Sequence, residues 1–198
     1  IWFNIRKMCP PDGRGCSLIW FTFKGDASSL MGRGALLFAS ISKGMSSLLS
    51  LVAAKKKAID LDEPVRINYP KFNPTSHSSG SNAASTLTVR DLLNHRTGMP
   101  RHDYLWQSPF SPRSGKITKD QIIESVQFLE MSRPQRVIPE YNNVMYTVAG
   151  EATTKGLNML NMETGKPGKL WEDYMETELF QPFGMTQGTY PTLGRVPE

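Results

Sequence analysis

FASISKGM, residues Phe38 to Met45, contains Ser40 and Lys43 in the one Ser-x-x-Lys spacing of the chain. Here the apolar stretch Gly34 to Ala39 gives way to a helical pattern. Ile41, Met45, Leu48, Leu49 and Val52 recur at helical spacing, which predicts an amphipathic or largely buried helix from Ser40 to Lys57. Residues three apart share a helix face, so the Ser40 hydroxyl and the Lys43 amine come within hydrogen-bonding reach. A serine in the first turn also lies near free backbone N–H groups and the positive end of the helix dipole, both of which favour an anionic oxygen. The spacing alone is weak, because 18 Ser and 12 Lys among 198 residues give about one such pair by chance. An ordinary helix start with a solvated lysine is the competing reading.

Downstream, Asp60 to Pro70 reads as a short extended or turn segment, and the Ser, Asn and Gly tract Asn73 to Ser85 as a loop. Thr88 and Asp91 resemble a capping box that opens a short helix, Val89 to His95, stopped near Gly98 and Pro100. A loop with Pro109, Pro112 and Gly115 follows. Thr118 and Gln121 repeat the capping pattern before a helix marked by Ile122, Ile123, Val126, Phe128 and Leu129, which ends before Pro134. Arg136 to Glu140 is an extended approach to Tyr141. Asn143 to Lys155 is helix-compatible and closed by Gly156, and a last helix runs from Leu170 to Phe180, ended by Pro182 and Gly184. Upstream, LIWFTF (Leu18 to Phe23) has the β-formers of a strand.

The chain is long enough for one substantial core, and its composition, 39% hydrophobic and 21% charged, is that of a folded soluble domain. The net charge of +5 does not point to nucleic acid. The 23 basic residues are scattered, the three consecutive lysines Lys55 to Lys57 read as a helix C-terminal turn, and no nucleic-acid module appears. Cys9 and Cys16 fit reduced thiols or a small disulfide loop, and no metal-ligand spacing exists. No apolar run reaches the roughly 18 residues that span a bilayer, and Ile1 to Lys7 lacks the order of a signal peptide. These features predict a soluble, cytoplasmic protein with no nucleic-acid or membrane partner, no metal and no cofactor. His95 and His102 read as structural or surface residues, with His95 helping to fix its loop. Asp91, Arg96 and Asp103 read as surface or loop-bracing charges, and Trp106, Trp171, Phe180 and Phe183 as core.

Tyr141 and Asn143 form a Tyr-x-Asn triplet ahead of a helix, a spacing that chance supplies about a quarter of a time in this composition. A helix-capping Asn beside a packed aromatic is the bland alternative. A phenol is a poor base at neutral pH unless a nearby cation favours the phenolate, and Lys43 could supply that cation.

SxxK followed 101 residues later by YxN resembles the serine β-lactamase and penicillin-binding-protein superfamily, nearest to its class C β-lactamase-like esterase branch. Four blocks carry the likeness in order: FASISKGM, LTVRDLLNHRTGMPRHD (Leu87 to Asp103), YNNVMYTVAGE (Tyr141 to Glu151) and WEDYMETELFQPFGM (Trp171 to Met185). The Asn-Asn-Val-Met-Tyr wording is similar to fungal members. The resemblance covers roughly Leu36 to Tyr190 and implies an α+β, β-lactamase/transpeptidase-like fold. It also implies an acyl-enzyme at Ser40, with Lys43 and Tyr141 sharing the serine proton. Asn143 would bind the small-molecule ester or amide substrate or hold Lys43, and water or an alcohol would release the acyl group. The family's third motif, a Lys or His followed by a small residue and Gly on a downstream strand, has no KTG or HxG counterpart here. The expectation is therefore a 1–35 N-terminal segment with a possible strand, then a 36–198 helical region. In that reading the helical part is mostly present, the antiparallel sheet is incomplete, and the chain is truncated before the family's C-terminal strands and helix. The alternative function is a catalytically inactive relative that serves as a binding module or has no function.

Overall fold

The computed structural model describes residues 3–7, 19–23, 39–74, 83–103 and 119–185. β1 (Phe3–Lys7) and β2 (Ile19–Phe23) pair antiparallel, Phe3 opposite Phe23 and Lys7 opposite Ile19. The strand expected at Leu18 to Phe23 thus forms, and it pairs with Phe3–Lys7. Cys9, Cys16, Trp106, the loop of Pro109 to Gly115 and the cap expected at Thr118 lie outside the described residues.

The remaining described residues are mostly helical. A 3-10 turn, Ala39–Ile41, leads into α1 (Ser42–Lys55). Ser46, Ser47 and Ser50 each return their hydroxyl to the carbonyl four residues earlier, so small polar side chains fit in the helix without orphaned donors. Lys56 caps α1, and Lys57 reverses the chain with a positive φ of 61°, as the basic C-terminal turn predicts. Lys56 then pairs with Glu178.

α3 (Val89–Leu93) starts on the expected capping box: Thr88 Oγ1 accepts from Asp91 N–H, and the Asp91 carboxylate accepts from Thr88 N–H at 3.1 Å. Before it, α2 (Ala83–Thr86) occupies the end of the Ser/Asn/Gly tract that the sequence reads as loop. Ala83 and Leu87 are fully buried there, so burial of two apolar residues overrides the loop-like composition. α4 (Lys119–Ser125) buries Ile123 and runs into a 3-10 turn, Val126–Phe128.

α5 (Asn143–Glu163) is the central element, packed against α1, α3, α4 and α6. Val144, Met145, Val148, Ala149, Ala152 and Leu157 bury one face of it. The sequence suggests a stop at Gly156, but the helix continues seven residues beyond. Gly156 is a packing residue: a Cβ there would overlap Ile59 Cγ2 and lie 2.5 Å from the Ala58 carbonyl oxygen. The turn after α1 can approach α5 so closely only over a glycine. α6 (Trp171–Tyr174) continues as a π-helical segment, Met175–Phe180, which places Met175, Leu179 and Phe180 in the core. Phe180 is buried as expected, whereas Phe183 is 47% exposed past the helix end. No helix among the described residues is long and apolar enough to cross a membrane.

Candidate active site

Ser40 sits on the 3-10 turn that leads into α1, Lys43 on the first turn of α1, and Tyr141 two residues ahead of α5. Because α1 and α5 pack side by side, their adjacent ends bring the three side chains together. Ser40 Oγ lies 2.5 Å from Tyr141 Oη, and Lys43 Nζ donates to Ser40 Oγ at 3.4 Å. Lys43 Nζ also lies 4.7 Å from the centre of the Tyr141 ring, and the Arg101 guanidinium is 5.0 Å from it on the loop after α3. Hydrogen bonding from Lys43 and then Ser40, aided by the charges of Lys43 and Arg101, outweighs partial burial and holds the Tyr141 phenol below its ordinary pKa. A phenol so placed is a better proton acceptor at neutral pH than a free tyrosine.

The fourth sequence candidate, Asn143, opens α5, and its side-chain amide donates to Asp103 Oδ1 at 3.1 Å. Asp103 in turn holds Arg101 through Nε and Nη2 at 2.9 and 2.6 Å. Arg101, Asp103 and Asn143 therefore form a polar chain along one side of Tyr141. Of the surface and loop-bracing roles open to Asp103, it takes the second, tying the loop to the helix.

The N-cap of α5 is Asn142, not Asn143. Its Oδ1 accepts from Met145 N–H at 3.1 Å, while its Nδ2 donates to the carbonyls of Met99 and Pro100 at 3.1 and 2.9 Å. Only 1% of this residue is exposed, and its amide is fully engaged. The loop it holds needs Gly98: φ is +74°, and a Cβ would collide with the Arg133 carbonyl. Gly98 O accepts from Ser132 N–H at 3.0 Å, which ties the loop to the segment leading to Tyr141.

Asp91 lies behind this loop and is 7% exposed. Its oxygens accept from Arg136 Nε at 2.9 Å and Nη2 at 2.7 Å. Burial alone would raise its pKa, but the Arg136 pair and the Thr88 hydrogen bonds together hold the carboxyl below the usual range. The sequence underrates this residue, because a capping aspartate gives no sign of an arginine 45 positions away. Among the described residues no group of three or more His, Cys, Asp or Glu is arranged to hold a metal ion.

Comparison with known proteins extends these observations. A family model described as Beta-lactamase matches residues 35–194. The chain is 40% identical over 107 residues to an unguisins hydrolase of Aspergillus violaceofuscus, a match that covers 54% of this chain and 16% of that protein. It is 30% identical over 110 residues to an unguisins hydrolase of Aspergillus campestris, covering 55% and 18% respectively. The fold is similar to that of the D-amino acid amidase of Ochrobactrum anthropi, with a TM-score of 0.53 and 27% identity over 78% of this chain and 44% of the amidase. The matched stretch is thus under a fifth of each fungal relative and under half of the amidase.

Proposed function

This chain belongs to the β-lactamase family, and from that premise we propose that it carries the nucleophilic centre of a serine hydrolase that cleaves an amide or ester through an acyl-enzyme at Ser40. The observation that carries this reading is the Ser40 Oγ to Tyr141 Oη distance of 2.5 Å, with Lys43 Nζ on the same serine oxygen. Tyr141 takes the Ser40 proton as Oγ bonds to the substrate carbonyl carbon, and the carbonyl oxygen becomes an oxyanion. A free backbone N–H at the start of the helical run, that of Ser40, would stabilise that charge. As the oxyanion collapses, the bond to the leaving amine or alcohol breaks, and Tyr141 returns the proton to it. Water then attacks the acyl carbon, Ser40 recovers its proton, and the acid departs. An alcohol in place of water would make the same step an acyl transfer. Arg101, over the Tyr141 ring, and Asn143, joined to it through Asp103, are the groups we assign to substrate contact. Similarity to a D-amino acid amidase favours an amide.

Intact mass after incubation with a fluorophosphonate tests the reading. A single adduct that maps to Ser40 and is absent in Ser40→Ala is the expected result, with labelling that accelerates as pH rises toward the lowered Tyr141 value. Lys43→Ala should label nearly as poorly as Ser40→Ala, since it removes both the Ser40 contact and the main cause of the Tyr141 shift. A folded wild-type chain that takes no adduct would favour the binding-module alternative.

A further inference from the structure

His95 lies outside the Ser40, Lys43 and Tyr141 set, yet it holds the backbone on both sides of Tyr141. Its carbonyl accepts the Glu140 N–H at 2.7 Å, and its ring Nδ1 accepts the Asn142 N–H at 3.1 Å. The ring itself stacks on the phenol, with centroids 4.6 Å apart and planes at 38°, and its other neighbour is Tyr146 at 5.0 Å. Tyr146 is pinned from behind, since its hydroxyl donates to Leu93 O at 2.8 Å and meets Ser47 Oγ at 3.2 Å. His95 adopts a left-handed backbone with φ of 58°, a conformation uncommon for a residue other than glycine and one that turns carbonyl and ring toward the same segment.

We propose that His95 is a positioning residue whose neutral ring clasps Tyr141 against Ser40, so that protonation of His95 releases the clasp and switches the site off at acid pH. This rests on the serine hydrolase reading given above. The chemistry is direct. An imidazolium carries a hydrogen on both nitrogens, so Nδ1 would confront the Asn142 N–H with a second donor. The charged and titratable groups facing the ring are Lys43 from α1, Tyr141 from the segment before α5 and Tyr146 from α5, with Arg101 beyond the Tyr141 ring. Burial, and then the charge of Lys43, push the imidazole below its ordinary pKa, which keeps the clasp closed at neutral pH.

His95→Asn and His95→Ala separate the roles. Asn tolerates the left-handed backbone and offers an acceptor oxygen near the position of Nδ1, but it does not titrate. In fluorophosphonate labelling of Ser40 across pH, the wild type should show, below the gradual loss set by Tyr141 itself, a second and steeper loss at acid pH as His95 protonates. His95→Ala should fall by about a hundredfold, the typical effect of a misplaced catalytic group. His95→Asn should recover most of that hundredfold and keep only the gradual Tyr141 loss, without the second, steeper one. Ultraviolet titration of the Tyr141 phenol, taken as a difference against Tyr141→Phe, supplies a readout independent of activity. Its midpoint should rise in His95→Ala and return toward the wild-type value in His95→Asn. Wild-type labelling and an unchanged Tyr141 midpoint in His95→Ala would overturn the proposal. So would a second, steeper acid loss that persists in His95→Asn, and this variant decides the matter if His95→Ala fails to fold. If the wild type takes no label at all, the hydrolase reading falls, and the Tyr141 titration still decides whether His95 positions the phenol.

Discussion

The contact between α1 and α5 has two ends of opposite character. At one end Ser40, Lys43 and Tyr141 meet in a polar, partly exposed cluster. Toward the other, Ala53 is fully buried, Ser50 Oγ and Thr153 Oγ1 share a hydrogen bond of 2.9 Å, and Gly156 lets Ala58 and Ile59 press against the helix. The tight end uses the smallest side chains, so the helices have one close approach available to them, and the polar end inherits its spacing from it. The 2.5 Å distance between two residues 101 positions apart is therefore a property of the whole helix pair.

Substitutions at the two ends should separate along that line. Tyr141→Phe at the polar end should slow Ser40 labelling by on the order of a hundredfold to ten-thousandfold, the usual worth of a general base. Its denaturation midpoint should stay near that of the wild type, and a large loss of stability would show that the cluster also supports the fold. Gly156→Val should do the reverse. Overpacking against Ala58 and Ile59 should cost about 1–3 kcal/mol in urea unfolding, while the fraction that remains folded labels at a rate much nearer to wild type. Full stability in Gly156→Val would mean that the tight end is looser than its geometry.

Asp91→Asn probes the support behind the site. Loss of charge-assisted hydrogen bonds to Arg136 should cost about 2 kcal/mol. Because the folded pKa of Asp91 is depressed, its contribution is whole above the ordinary Asp value. It is lost as pH falls below about 4 and through the lowered folded value. The variant should therefore show a shallower acid branch in a stability against pH curve. Ser50→Ala should have the smallest effect, about 1 kcal/mol, since it leaves the Thr153 hydroxyl without its Ser50 partner but opens little space.

The sequence made Ser40, Lys43 and Tyr141 legible because their two short spacings, in order, carry a resemblance to the β-lactamase family, which implies a shared site. It also placed the Thr88 cap and the lysine-rich end of α1, both of which are local. What it could not show depends on contacts between distant segments. Gly156 looks like a helix stop because a glycine in one dimension cannot be distinguished from a glycine under a neighbouring backbone. Asp91 reads as a helix cap and a surface or loop-bracing charge with no sign of Arg136, and His95 as loop bracing with no sign that both backbone neighbours of Tyr141 hang from it. The helix Ala83–Thr86 was hidden by a loop-like composition that gives no sign of the burial of Ala83 and Leu87.

The Tyr-x-Asn triplet treats its middle position as free, and here that position is Asn142, whose one amide group caps α5 and grips two loop carbonyls. An aspartate differs from it by exchanging NH2 for oxygen, which would set negative charge against the Met99 and Pro100 carbonyls where two donors now stand. Spontaneous deamidation of this one side chain would thus unlatch the Met99–Pro100 loop from the helix and act as a chemical clock on the site, were it not that burial and three hydrogen bonds hold the amide fixed. Storage lifetime and catalytic order are guarded here by the same enclosure.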